Sequence, residues 1–189
     1  YAFKAMVMIV EKGIDCEFVT VAPSSAEVAE VTPLYQIPVL VRDDGNVLYD
    51  SSVIVDYLDG LVPNPKLIPE AFEDRIEVKR WEALCDGIMG AAVAIFYKER
   101  ISESERVAQR SKQQKKIDAG LATLAKDLGD GVFCHDNRFT LADIACGSTL
   151  VCLDFRLPDM DWRKTYPVLA RHAERMVKRE SFKAADNRD

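Results

Sequence analysis

The residues with the most chemistry to offer lie in two short runs, Thr32-Pro33-Leu34-Tyr35-Gln36-Ile37-Pro38-Val39-Leu40 and Leu48-Tyr49-Asp50-Ser51-Ser52. Asp50 and Ser51 stand where an apolar strand runs into a helix. Free N–H groups and the positive dipole end at such a helix start receive a carboxylate, and Asp50 adds an acid beside it for an ammonium. Ile37-Pro38 opens the facing strand. Proline is tolerated at the first residue of a strand because no ladder donor is needed there, and the bond before it is the one kind that is commonly cis. The sharp corner turns the N–H and C=O of Ile37 outward. An edge that accepts extended backbone, next to a receptor for a carboxylate and an ammonium, suits a small peptide with a free amino-acid head. A plain hairpin feeding a capped helix is the structural alternative, and the joint spacing of Pro38, Asp50 and Ser51 argues against it.

Several elements must hold these residues in place. An apolar strand over 39–42 turns through Asp43-Asp44-Gly45-Asn46, returns over 47–49 and enters a helix over 51–61. Ahead of them, residues 1–12 carry helical spacing (Ala2, Met6, Ile9, Val10) that stops at Gly13, a glycine suited to the position after a helix. Cys16 to Val21 reads as a strand with Cys16 in the core, and Ser24-Ser25-Ala26-Glu27 reads as a capping box opening a short helix before Pro33. The order is that of a thioredoxin-like α/β domain over 1–62 whose first strand is missing. Nothing before the first helix can cap it or pair with the strand at 16–21. The expectation is therefore roughly ten further residues upstream, an apolar strand and a short polar loop.

Residues 63–69, Pro-Asn-Pro-Lys-Leu-Ile-Pro, read as a proline-rich linker to an all-helical domain over 70–189. Its first helix runs from 70 to about 100 with Ile76, Trp81, Leu84, Cys85, Ile88, Ala92, Ile95 and Phe96 inward. Gly87 and Gly90 interrupt it at about 1 kcal/mol each, a cost most easily understood where another backbone or a ligand comes close. Ser102-Glu103-Ser104-Glu105 opens a second helix with Val107, Ile117, Leu121, Leu124 and Leu128 inward, and its basic run over 112–116 reads as solvated. Phe139-Thr140-Leu141-Ala142-Asp143-Ile144 is a stronger signal. Thr140 and Asp143 form a reciprocal cap, and Phe139 and Ile144 form a hydrophobic staple. The helix that follows, to about Phe155, is apolar nearly all round and is expected at the domain's centre. Pro167 starts a last helix over 168–180, followed by Ser181-Phe182 and a polar tail expected to fray.

Pro-Leu-x-Gln-Ile-Pro-Val-Leu, a hairpin and Leu-Tyr-Asp-Ser-Ser-x-Ile-x-x-Tyr-Leu together resemble the glutathione-binding half of the cytosolic glutathione transferases. The capped helix at 139–147 and the ending Tyr-Pro-x-Leu-x-x-His-x-x-Arg-Met resemble that family's helical domain, and the chain looks like a bacterial member. The resemblance implies the two-domain transferase fold and glutathione as co-substrate. It implies that Ile37 before Pro38 pairs with the cysteinyl backbone, that Asp50 and Ser51 hold the γ-glutamyl end, and that Gln36 flanks them. Asp50 is one methylene shorter than the glutamate more usual there. Asp86, followed by Gly87, matches an aspartate that reaches glutathione across a homodimer; its plain reading is a solvated helix residue. The residue facing the glutathione sulfur, a serine or cysteine, would lie upstream of Tyr1. Transfer would be to a small hydrophobic electrophile or a disulfide. The alternative of a different class is a non-catalytic protein-binding member resembling stringent starvation protein A. Tyr35 and Tyr97 are cleft candidates that more often serve as packed aromatics.

Composition narrows the partners further. At 189 residues and 48% hydrophobic the chain can bury a substantial core. A net charge of −6 argues against nucleic acid or an anionic membrane as the main partner. Cysteines 16, 85, 134, 146 and 152 show no metal spacing and, with His135 and His172 the only histidines, point to reduced thiols, a cytoplasmic setting and no metal site. No stretch reads as a signal peptide or a membrane span.

Overall fold

The computed structural model describes residues 1–97 and 103–186, in two compact units. The first comprises Tyr1–Ile68 with the segment that begins at Glu180, and the second comprises Pro69–Arg179.

In the first unit, helix α1 (Ala2–Glu11) buries Ala5, Val7, Met8 and Ile9. It ends as the sequence requires. Gly13 takes φ +61°, its N–H donates to Val10 and the N–H of Ile14 donates to Ile9. That pair of bonds satisfies the last carbonyls of the helix, and a left-handed residue there favours glycine. Short helix α2 (Ala26–Val31) is capped by Ser25, whose hydroxyl accepts from the Val28 N–H. The cap therefore sits one residue later than the Ser24–Glu27 pairing implies, because Ser24 is itself left-handed at φ 63°.

Strands β1 (Leu40–Val41) and β2 (Val47–Leu48) pair antiparallel, Leu40 with Leu48 and Val41 with Val47. Helix α3 (Ser51–Leu61) follows and buries Ser51, Ile54, Val55, Leu58 and Asp59, one face at helical spacing. α1 packs on α3 and on α9 (Glu180–Ala185), whose Phe182 meets Phe3 edge to face at 5.6 Å. The expected strand at 16–21 is not formed. The segment has no ladder partner among the described residues, so Phe18 and Val19 are exposed and Cys16 is half-buried instead of core.

The second unit is helical. α4 (Phe72–Phe96) and α5 (Glu103–Leu128) pack against each other, and α6 (Leu141–Arg156) packs on α4 and on α8 (Pro167–Met176). A single turn, α7 (Trp162–Thr165), carries no clear signal in the sequence; it buries Trp162, whose indole N–H donates to Asp154 at 2.9 Å. α6 is buried from Leu141 through Val151 and is the centre of the unit. Its start carries the reciprocal cap: Thr140 accepts from Ala142, and Asp143 accepts from the Thr140 N–H at 2.9 Å.

The packing corrects several expectations. Ile76 on α4 is exposed because it lies on the face opposite Val78, Trp81 and Cys85; Phe96 on α4 and Val107 on α5 are exposed near the helix ends; Val78, Met89 and Ala91 are buried on α4 instead. A Cβ on Gly87 would meet nothing within 4 Å, whereas one on Gly120 would fall 2.5 Å from Cγ1 of Ile88. The close approach of α4 and α5 thus depends on Gly120. Pro167 does start a helix, but it stops at Met176 and α9 begins separately, which sends Phe182 into the first unit's core. The Ser102 cap of α5 lies outside the described residues.

Candidate functional site

The site is built from the hairpin upward. Ile37-Pro38 is cis, and both residues are half-buried just ahead of β1. Asp50 follows β2 and is the N-cap of α3, with its Oδ1 accepting the Ser52 N–H at 3.1 Å. The ladder ends at the pair Leu40–Leu48, and Pro38 and Asp50 each stand two residues beyond that rung along the chain, with Ile37 and Ser51 next to them. The hairpin thus delivers four of the sequence-predicted residues to one end. Asp50 is exposed, as is Gln36, while Ser51 at the first helical position is buried. A carboxylate that caps while standing exposed at the positive end of an eleven-residue helix keeps an acceptor edge toward solvent.

Two networks hold this corner. Arg42, the residue after β1, donates from Nε to the Tyr57 hydroxyl at 3.2 Å, stacks over the same ring and pairs with Asp44 in the turn. That ties the hairpin to the middle of α3. At the far end of α3, buried Asp59 accepts from Lys12 at 2.9 Å, from the Leu67 N–H at 2.9 Å and from the Ile68 N–H at 3.2 Å. Lys66 pairs with its other oxygen at 3.3 Å, and Lys12 reaches on to the Pro65 carbonyl at 2.6 Å. No sequence motif announces this node. A lysine and an aspartate 47 residues apart carry no signal until α1 and α3 are packed side by side.

Asp86 is half-buried on α4, in the second compact unit. Tyr35 and Tyr97 are both exposed; the Tyr97 ring nonetheless meets Phe96 edge to face at 5.1 Å and lies beneath the Arg156 guanidinium.

Sequence spacing also misses a cluster in the second unit. Cys134 before α6, Cys146 on α6 and His172 on α8 are all buried, and their Sγ, Sγ and imidazole nitrogen lie within 4.8 Å of one another. Burial pushes the Cys134 thiol up to about 12 and drives the His172 imidazole down to about 4, the latter aided by Arg175. The ring is therefore neutral at ordinary pH and keeps a lone pair. These residues come from three separate elements, so only the fold reveals the set.

Known proteins agree with this architecture. The family model for the glutathione S-transferase N-terminal domain matches residues 1–61, and that for the C-terminal domain matches residues 102–175. The chain is 32% identical over 182 residues to the uncharacterized GST-like protein YibF of Escherichia coli, covering 95% of this chain and 90% of that protein. It is 27% identical to a stringent starvation protein A homolog of Coxiella burnetii, covering 98% of this chain and 86% of that protein. A crystal structure of a glutathione S-transferase from Methylobacillus flagellatus with glutathione bound superposes with a TM-score of 0.92 at 44% identity, covering 97% of this chain and 92% of that one. The chain belongs to the glutathione S-transferase family, with the family's thioredoxin-like first domain and helical second domain. Among the described residues, no helix is long and apolar enough to cross a membrane.

Proposed function

We propose that the protein is a glutathione transferase of the cytoplasm that binds glutathione at the hairpin–helix corner. The observation that carries this reading is the hairpin, which places Pro38 and the capping carboxylate of Asp50 each two residues beyond the Leu40–Leu48 pair. Structural relatives with glutathione or glutathione sulfonate bound, at 44% and 37% identity, support it. The main chain of Ile37 pairs with the cysteinyl backbone. Ser51 and the free N–H groups of the first turn receive the γ-glutamyl carboxylate, Asp50 pairs with the adjacent ammonium, and Gln36 flanks them. Binding in this pose aims the sulfur away from the helix start. The thiolate, the nucleophilic form, attacks a small hydrophobic electrophile and expels its leaving group, or attacks a disulfide and expels the other sulfur as thiolate.

The functional unit in this reading is a homodimer in which Asp86 of one subunit reaches the glutathione of the other. A sedimentation mass near the 21.2 kDa of one chain would remove that role. The binding reading is tested by titrating glutathione calorimetrically into wild-type, Asp50→Ala and Ser51→Ala protein. Losing a charged hydrogen bond costs about 1.5–3 kcal/mol, so affinity should fall roughly ten- to a hundred-fold in the Asp50 variant. Unchanged affinity in both variants refutes the site. A wild-type protein that binds no glutathione refutes the transferase reading.

A further inference from the structure

The cluster of Cys134, Cys146 and His172 has no part in the glutathione reading, and its geometry goes beyond core packing. Nε2 of His172 stands 3.8 Å from the Cys134 sulfur, and all the donor atoms lie within 4.8 Å of one another. A tetrahedral zinc site with metal–sulfur and metal–nitrogen bonds of about 2.3 and 2.1 Å has S···N and S···S edges of about 3.6 and 3.8 Å. A shift of a few tenths of an ångström between Cys134 and His172, and of at most about 1.2 Å on the two edges from Cys146, would bring the three donors to tetrahedral spacing. Supports are in place around the ligands. The Cys134 N–H donates to Asp143 Oδ1 at 2.8 Å, and that oxygen lies 3.9 Å from His172 Nε2. The thiol of Cys85, wholly buried on α4, lies against Cys146.

We propose that Cys134, Cys146 and His172 form a buried structural site for a soft divalent d10 cation, zinc above others. Both thiols give up their protons to solvent, and the two thiolates then neutralise the dication. This balance suits a site with no water to spread charge, and it disfavours a monovalent ion, which would leave net negative charge beside Asp143. The metal would tie the loop before α6, α6 and α8 together. This is independent of the glutathione site, which lies in the other compact unit.

The test is metal analysis of full-length protein expressed in zinc-supplemented medium and passed through gel filtration. We expect close to one equivalent of zinc, and an intense thiolate-to-cobalt charge-transfer band after refolding with Co(II). X-ray absorption of the wild-type zinc protein should show two sulfur ligands and at least one nitrogen. The band should vanish in Cys146→Ala and His172→Gln and persist in Cys16→Ser/Cys152→Ser, which removes the two half-buried thiols. Should the core variants fail to fold, the wild-type absorption spectrum decides alone. Protein that takes up neither metal, a shell of oxygen and nitrogen only, or a band that survives both core variants overturns the proposal.

Discussion

Replacing Asp59 should damage the first unit more than any other single change near α3. Its carboxylate is 2% exposed and answers four donors: Lys12, Lys66 and the N–H groups of Leu67 and Ile68. Asp59→Ala leaves the Lys12 ammonium, with a side chain 0% exposed, facing only carbonyl oxygens. Removing one partner of a buried ion pair costs about 3–5 kcal/mol, and each orphaned buried N–H adds about 1–3 kcal/mol where it cannot reach water. A loss at or above the top of the ion-pair range is expected, against a total stability on the order of 5–15 kcal/mol. Lys12→Met should cost less, because Asp59 keeps Lys66 and both N–H donors. In the double variant the two losses should fall short of additivity by about 0.5–3 kcal/mol, the range for contacting residues. Both tryptophans, Trp81 and Trp162, lie in the second unit, so fluorescence is blind to this region. Urea unfolding should be followed by far-UV circular dichroism, with amide exchange read at Leu67 and Ile68. Stability within about 1 kcal/mol of wild type, with both amides still protected, would refute the reasoning.

Three further predictions concern the second unit. Thr140→Ala with Asp143→Ala should cost about 2–4 kcal/mol, more than a cap alone, because Asp143 also holds the buried Cys134 N–H; glutathione affinity of the folded fraction, measured by calorimetry, should not change. Gly120→Ala should lose about 1–3 kcal/mol by driving a methyl into Ile88. Gly87→Ala should instead be neutral or gain up to about 1 kcal/mol in chemical denaturation, since a Cβ there meets nothing. Destabilisation by Gly87→Ala at concentrations where the protein is dimeric would show that a second copy covers that face.

Local signals make most of the elements legible in the amino-acid sequence. Pro38, the Asp43–Asn46 turn, the cap at Asp50, Thr140 with Asp143, and Gly13 each act within four or five residues, and each is found where the chain chemistry puts it. The resemblance carried by those same residues points to the family. The expectations that fail depend on neighbours far along the chain. The segment at 16–21 has the right residues for a strand, but a strand exists only by pairing, and no described segment forms a ladder with it. Phe96 and Val107 stand near the ends of their helices, while Ile76 lies on the face of α4 opposite Val78, Trp81 and Cys85. The Lys12–Asp59 node and the Cys134–Cys146–His172 cluster join residues from different elements, so neither leaves a spacing to read. The two cases differ in consequence. A missed ion pair alters only the account of stability. A missed set of soft donors changes the chemistry available to the molecule, because five cysteines without a motif read as inert thiols until packing brings two of them against an unprotonated imidazole.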